Sequence, residues 1–162
     1  MKNLFIALGV LFLLGGCQSE PASNLKPLSL LPHGIPITIL APDSAKIRTM
    51  DLLVQKDITV RGEDGYDLQI FASDATSTDV SKIASELKGE VKNNPYFTKI
   101  IDESDPNGFI YETKLDSTTI SYGFQLVRVM GDREYIFQNA LVGTFTQDEI
   151  KTMYQAVKDK KK

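Results

Sequence analysis

The strongest constraint in this sequence is a β-hairpin signal in its last third. Two runs rich in β-branched and aromatic residues, 120–129 and 133–142, flank Gly131-Asp132. A two-residue loop of this kind fits a type I′ or II′ turn, which fixes the pairing register of both strands. In this register Met130 stands opposite Arg133. The pairs Leu126–Phe137, Phe124–Asn139 and Tyr122–Leu141 then lie on one face of the hairpin, and the pairs Val127–Ile136 and Gln125–Gln138 lie on the other. Both faces are partly apolar, so both need at least partial cover.

Two amphipathic helices are predicted. Residues 80–91 carry apolar side chains at helical spacing, preceded by N-cap candidates at residues 77–79 and ended by residues 93–95, which include a proline. Thr146 and Glu149 have the spacing of a capping box. The apolar stripe that follows them consists of Ile150, Met153, Tyr154 and Val157. The second helix is therefore expected to cover part of the sheet.

The remaining pattern is mostly that of strands. Alternation or β-rich composition predicts them at residues 35–40, 58–60, 66–72, 96–102 and 109–114. Residues 62–65 and 105–108 have the composition of turns. Residues 43–56 are ambiguous, and we predict a loop or short helical turn followed by an extended piece at residues 52–54. This order predicts an α+β domain, an antiparallel meander sheet with two amphipathic helices packed on it.

The amino terminus has the pattern of a secretory signal peptide. Lys2 precedes an apolar run at residues 4–14, and Gly15 and Gly16 then lead to Cys17, the one cysteine in the sequence. The run is too short to cross a bilayer, which takes roughly 20 apolar residues. Residues 14–17 also resemble the lipobox of bacterial lipoproteins, in which the cysteine sulfur receives a diacylglycerol and cleavage occurs before the cysteine. We therefore predict a lipoprotein signal peptide at residues 1–16 and lipidation at Cys17.

A tether is predicted to follow the lipidated cysteine. Residues 18–36 contain four of the seven prolines, which resist both helix and sheet. We assign residues 17–33 to this lipidated tether and residues 34–162 to a single α+β domain. The alternative is that the apolar patch at residues 28–31 packs on the domain.

The charge of the chain argues against nucleic-acid binding. The formal net charge is −3, and removal of Lys2 with the leader makes it −4. The last five residues carry a net charge of +3, so the rest of the chain is more acidic still, whereas nucleic-acid affinity needs a basic surface. The terminal lysines are expected to be a solvated end rather than a lipid-binding patch.

Few residues in the sequence suggest catalysis or metal binding. His33 is the sole histidine, and its place in the predicted tether argues against a catalytic or metal-binding role. Asp64, Asp67 and Asp74 are candidates for carboxylate chemistry, although nothing in their spacing separates them from solvated loop acids. Gln125 and Gln138 are expected either to line a small pocket or to bond each other. We predict no catalytic residue, no metal site and no cofactor.

Residues 103–108 match part of the pattern of a calcium-binding loop. Glu103, Asp105, Asn107 and Gly108 match its first half, but Lys114 stands where a bidentate glutamate is required. A plain hairpin turn is the preferred interpretation.

The mature body resembles the PsbP-like group, and within it the bacterial DcrB-type lipoproteins. The resemblance rests on the opening strand at residues 34–42, on residues 66–74 followed by the helix at 80–91, and on the hairpin at 121–142 leading to a terminal helix. It implies an antiparallel sheet with helices on its sides and a non-enzymatic accessory or assembly role. It carries no site residues to this chain.

These features together predict a lipid-anchored accessory or binding protein of the bacterial cell envelope. Its partners would be membrane lipid, through the acylated Cys17, and an envelope protein, with no nucleic acid. Gln18 after the cysteine favours the outer membrane facing the periplasm over the inner membrane. The alternatives are an envelope hydrolase that uses loop carboxylates, and a small-ligand carrier with a pocket between sheet and helices near Tyr122, Phe124 and Phe137.

The lipobox makes a direct prediction about Cys17. A Cys17→Ser variant is expected to lose all labelling by radioactive fatty acid, because the hydroxyl cannot replace the thiol as the acceptor of diacylglycerol. The chain should then remain uncleaved or be released from the membrane. Normal labelling of the variant would show that the anchor lies elsewhere.

Overall fold

The computed structural model describes residues 24–158. In chain order, its elements are β1 (Lys26–Ser29), a 3₁₀ turn (Leu31–His33), β2 (Thr38–Ala41), β3 (Lys46–Asp51), β4 (Gln55–Arg61), β5 (Asp67–Asp74), α1 (Val80–Lys92), β6 (Phe97–Asp102), β7 (Gly108–Lys114), β8 (Ile120–Met130), β9 (Arg133–Asn139) and α2 (Gln147–Val157). Within this range, no helix is long and apolar enough to span a bilayer. The signal peptide and Cys17 lie outside the described residues, so lipidation stays a prediction.

The main sheet consists of two antiparallel meanders joined along their inner strands. Its order is β3-β4-β5-β9-β8-β7-β6, and every neighbouring pair is antiparallel. The first meander is β3-β4-β5, the second is β6 to β9, and β5 pairs with β9 over seven residue pairs. The predicted α+β fold, a meander sheet with two packed helices, is confirmed.

The two helices cover opposite faces of this sheet. On the first face, which we call the α1 face, Ile83 and Ala84 of α1 pack on Val127 of β8. On the second, the α2 face, the Tyr154 ring meets Phe124 edge-on with 5.6 Å between ring centroids. The larger core lies on the α2 face, where α2 and the β1-β2 ribbon enclose the apolar side chains of β4, β5, β8 and β9. The need for cover on both faces, inferred from the hairpin, is thus met by one helix on each.

The predicted hairpin register is confirmed along β8 and β9. Met130 pairs with Arg133, Leu126 with Phe137 and Gln125 with Gln138. The register does not extend to the expected pair of Tyr122 with Leu141. The Asn139 side-chain oxygen accepts the Phe124 amide at 3.1 Å in place of a backbone acceptor, and β9 ends there.

The predicted helix caps are also present. Asp79 is the N-cap of α1, and its carboxylate accepts the Lys82 amide at 3.0 Å. Thr146 and Glu149 form the reciprocal capping box at the start of α2. Both helices begin where the sequence places them because capping depends on contacts within a single turn.

The interpretation of residues 43–56 was wrong. Lys46–Asp51 is an edge strand paired with β4, and residues 52–54 form the hairpin turn instead of an extended piece. The Leu52 amide donates to the Gln55 carbonyl oxygen at 2.8 Å, and Gln55 returns a bond to Leu52 at 3.4 Å. Strand β3 lies at the sheet edge and carries polar residues on both of its faces. Its sequence therefore lacks the alternation of apolar and polar residues that would have identified it as a strand.

The second half of the predicted tether is part of the fold. Lys26–Ser29 pairs with Thr38–Ala41, and the Leu30 amide donates to the Ile37 carbonyl oxygen at 2.9 Å. Leu30 is 0% exposed within the main core. Proline fits here because β1 belongs to a two-stranded ribbon in which one row of backbone donors has no ladder partner. The packed chain therefore starts at or before Lys26 instead of at residue 34.

Leu30 and its neighbour Leu31 provide a matched test of this packing. Leu30→Ala is expected to lower the free energy of unfolding by about 2–5 kcal/mol, because it removes a fully buried side chain from the core. Leu31→Ala should change it by less than about 0.5 kcal/mol, since Leu31 is 65% exposed. Urea denaturation followed by circular dichroism measures both. Equal losses would show that Leu30 is not anchored in the core.

Candidate functional site

Half of the α1 face is left without a helix. Helix α1 packs on β8, β7 and β6, at one side of the sheet. The side chains that share this face on β4, β5 and β9 have no helix above them; we call this surface the open face. It comprises Gln55, Asp57, Thr59, Arg61, Asp67, Gln69, Phe71, Ser73, Glu134, Ile136 and Gln138, and Gln125 of β8 lies at its border.

A row of glutamines crosses the open face. Gln125, Gln138 and Gln69 stand opposite one another on adjacent strands. The Gln125 amide nitrogen donates to the Gln138 side-chain oxygen at 3.3 Å. Of the two predictions for this pair, a pocket lining or a mutual hydrogen bond, the structure shows the hydrogen bond. The Gln69 amide nitrogen donates to one Asp57 oxygen at 2.9 Å. One bond thus joins two glutamines of the row across β8 and β9, and the third glutamine bonds Asp57 of β4.

Beside this row the open face carries two apolar side chains. Phe71 and Ile136 are directly opposed on β5 and β9, and both are only partly buried. Asp57 flanks them on β4, and Met50 on β3 extends the same row to the sheet edge, where it is 47% exposed. The open face therefore combines a small apolar centre with surrounding acceptor groups.

The open face also collects buried oxygens that receive no hydrogen bond. One side-chain oxygen on each of Asp57, Asp67, Gln125 and Glu134 is buried and is reached by no donor within residues 24–158. By the strand register, all four side chains point to the α1 face. Buried acceptors are nearly always paired in native proteins, and one left unpaired costs about 1–3 kcal/mol. Four on one face therefore give it hydrogen-bonding capacity that the described residues do not use.

Glu134 is the most enclosed of these acceptors. The residue is only 7% exposed, and its cross-strand neighbours are Val129 and Ser73. The other buried glutamate, Glu112, lies on the α2 face and forms an ion pair with Lys99 at 3.4 Å. Glu134 has no such partner among the described residues. A cationic or N–H donor is the group that would satisfy it.

One glycine shapes the border of the open face. A Cβ atom at Gly123 would lie 2.4 Å from the Tyr111 ring, which crosses this position from β7. Burial raises the pKa of the Tyr111 hydroxyl. Phe109, opposite Gln125, bounds the glutamine row on the side of β7, and Tyr111 lies beside it and remains protonated at neutral pH.

A cleft lies between the start of the described chain, the turn before β5 and the first turns of α2. It has a volume of about 420 Å³, and its walls include Leu25, Pro42 and Met153 and five carboxylates, Asp43, Glu63, Asp64, Asp148 and Glu149. Two of these carboxylates are engaged, Asp43 with Lys26 at 2.5 Å and Glu149 in the capping box. Tyr66 also lines the cleft; burial raises its pKa, and its hydroxyl donates to the Leu40 carbonyl oxygen at 2.7 Å. Within residues 24–158, no three metal-ligating side chains converge.

The three candidate carboxylates from the sequence do not come together. Asp67 pairs with Arg61 at 2.7 Å, and Asp74 at the other end of β5 pairs with Arg133 at 2.5 Å. Asp64 lies in the turn before β5, in the left-handed region with φ 54°, and faces the cleft. An acid–base pair built from these three residues therefore has no geometric basis.

The other candidate residues are also placed by the structure. His33 is held by the fold instead of lying in a tether, with Nδ1 3.2 Å from the Thr49 hydroxyl oxygen. In the segment that partly matches a calcium loop, residues 103–108, Glu103 pairs with Lys88 at 2.9 Å and Asp105 pairs with Lys158 at 3.2 Å. The Gly108 amide donates to the Asp105 carbonyl oxygen at 3.2 Å, so residues 105–108 form the predicted turn. The predicted lipidation site, Cys17, is outside the described residues.

Sequence reasoning missed Asp57 and Glu134. Glu134 follows Arg133 at the start of the predicted strand, where the register already opposed it to Val129. An acid opposite a valine across the predicted hairpin was the available signal. Asp57 precedes a predicted strand, and its position opposite Phe71 depends on a pairing that was not foreseen.

Comparison with known proteins gives no further assignment: no protein-family model matches the chain, and no curated protein is significantly similar to it.

The unpaired oxygen of Glu134 predicts an unusual stability effect. Glu134→Met is expected to raise the free energy of unfolding by about 1 kcal/mol, because it removes a buried acceptor that lacks a donor while keeping the side-chain length. Glu112→Met is the matched control, equally buried but paired with Lys99, and it should give no increase. Guanidinium denaturation measures both variants. Loss of stability in Glu134→Met would show that this carboxylate already contributes to the fold.

Proposed function

We propose that this protein is a lipid-anchored, non-catalytic binding protein of the bacterial cell envelope that holds a protein partner on its open face. The observation that carries the proposal is the group of four buried side-chain oxygens that receive no hydrogen bond from the described residues and point to the same face of the sheet. A surface that gives up stability in this way is typical of sites kept for binding.

The chemistry of the open face indicates what the partner offers. Its acceptors require N–H, ammonium or guanidinium donors, and its apolar centre at Phe71 and Ile136 requires an apolar contact. Asp57 and Glu134 add negative charge without a cation of their own among the described residues. A protein segment with a basic side chain next to an apolar one meets all three requirements.

The predicted anchor supports a role at the membrane. Lipidation at Cys17 would hold the domain close to the bilayer without a membrane-spanning helix, since two or more acyl chains make a stable anchor. The resemblance to PsbP-like lipoproteins supports an accessory or assembly role, and Gln18 supports the outer membrane facing the periplasm. The hydrolase alternative lacks support from Asp64, Asp67 and Asp74, which lie apart.

The carrier alternative depended on open space near Tyr122, Phe124 and Phe137. Phe124 and Phe137 are both 0% exposed, and Tyr154 of α2 packs against Phe124. The aromatic side chains of the hairpin therefore fill the interior between the sheet and α2 and serve as core.

Site-specific photocrosslinking in intact cells tests this proposal. A photoreactive phenylalanine analogue at Thr59, on the open face between β3 and β5, is expected to form a discrete crosslinked species with an envelope protein. The same analogue at Glu86, whose side chain is 64% exposed on α1, is the control and should give none. Adding Glu134→Met should reduce the Thr59 product at least several-fold.

The pattern of products distinguishes the outcomes. A crosslinked species at Glu86 but not at Thr59 would move the binding surface to α1. The absence of any product at Thr59, Gln69 and Ser73, with normal expression and membrane attachment, would overturn the open face as a binding surface.

A further inference from the structure

The start of the described chain marks one end of the domain. Asn24 and Leu25 line the cleft together with the Glu63-Asp64 turn and the first turn of α2. Phe145, just before α2, accepts the Tyr122 amide at 3.0 Å and donates its own amide to the Ser121 hydroxyl at 3.0 Å. Residue 24, the turn at 62–65, the hairpin loop at 115–119 and the segment 140–146 therefore lie at the same end of the sheet. We call it the proximal end.

The proximal end carries exposed apolar side chains on two adjacent loops. Leu141 and Val142 follow β9 and are 77% and 86% exposed. Leu115 and Ile120, which flank the β7-β8 loop, are 41% and 48% exposed. The segment 140–146 runs beside the start of β8, so the two loops are neighbours. Apolar side chains grouped in this way mark a contact surface more often than isolated ones do.

The length of chain before residue 24 limits what this end can meet. Six residues lie between Cys17 and Asn24, and the seven steps from one to the other span at most about 25 Å when fully extended. Another exposed apolar group, Leu52, Leu53 and Val54 at the β3-β4 turn, lies at the opposite end of the sheet. Strand β8 alone, at 11 residues, is about 35 Å long. A lipidated Cys17 thus keeps the proximal end, and not the β3-β4 turn, next to the bilayer.

We infer that the domain stands on the bilayer by its proximal end, with Leu141 and Val142 inserted among the lipid headgroups and Leu115 and Ile120 beside them. The inference rests on the lipid anchor of the proposed function. It places the sheet upright on the membrane, with the open face accessible to a partner and the β3-β4 turn directed away from the surface.

The charges of the proximal end specify the kind of lipid. Glu63, Asp64, Asp116 and Asp148 lie at this end, and Lys46 and Lys114 offset them only in part. Hydrogen bonds from Thr118 and Thr119 lower the pKa of Asp116 to about 2, so this loop stays charged. Because like charges repel at a membrane surface, the proximal end fits zwitterionic lipid and not an anionic surface.

Single-cysteine labelling of the full lipidated protein in vesicles tests the inference. Cys17 is the one native cysteine, and in the lipidated protein its sulfur would be blocked by diacylglycerol, so an introduced thiol can be labelled selectively. An environment-sensitive fluorophore at Val142→Cys is expected to shift its emission to the blue in zwitterionic phosphatidylcholine vesicles and to be quenched by lipid-attached quenchers. The matched control is the same label at Leu53→Cys, a fully exposed position at the opposite end of the sheet, which should show neither effect.

The outcomes separate this inference from the anchor itself. Mass spectrometry of the acylated amino terminus first establishes that the anchor is present. With the anchor in place, a response at Leu53, at both positions or at neither would overturn the upright orientation while leaving the lipid-anchored binding role intact. A Val142 response that grows when anionic phosphatidylglycerol is added would overturn the choice of lipid.

Discussion

The pairing of β5 with β9 holds this domain together. Each of the two meanders can form from local hairpins, but neither can bury its apolar face alone. The β5-β9 ladder joins residues 67–74 to residues 133–139 and turns the two meanders into one sheet. It also places Leu68 and Ile70 beside Phe137, at the centre of the main core. Because this contact is distant in sequence, the rest of the architecture depends on an interaction that no single segment encodes.

What could be read from the sequence was what local contacts determine. The β8-β9 register follows from a two-residue turn, and the two helix starts follow from caps that involve four consecutive residues. The predictions failed where stability comes from distant partners. Lys46–Asp51 is a strand only because β4 lies beside it, and Leu30 is buried between two prolines because the β1-β2 ribbon docks on the core.

The same distinction applies to the open face. Gln125 and Gln138 could be paired in advance because they face each other across a hairpin. Asp57 and Glu134 are 77 positions apart, and they share a surface only because β4, β5 and β9 are adjacent in the sheet order. The lack of a donor for their oxygens cannot be seen in the sequence, because any lysine or arginine of the chain could have supplied one.

The docking of β1 has a mechanical consequence. Strand β1 begins at the proximal end and runs inward along β2, and β2 is packed against α2. A pull on the chain at residue 24, directed away from the domain, acts along the strand axis, so it loads the β1-β2 hydrogen bonds together in shear instead of opening them one at a time. Leu30, enclosed at the inner end of β1, must leave the core before the strand can slide. The ribbon and Leu30 are therefore the first part of the described domain to bear a load applied to the chain at residue 24.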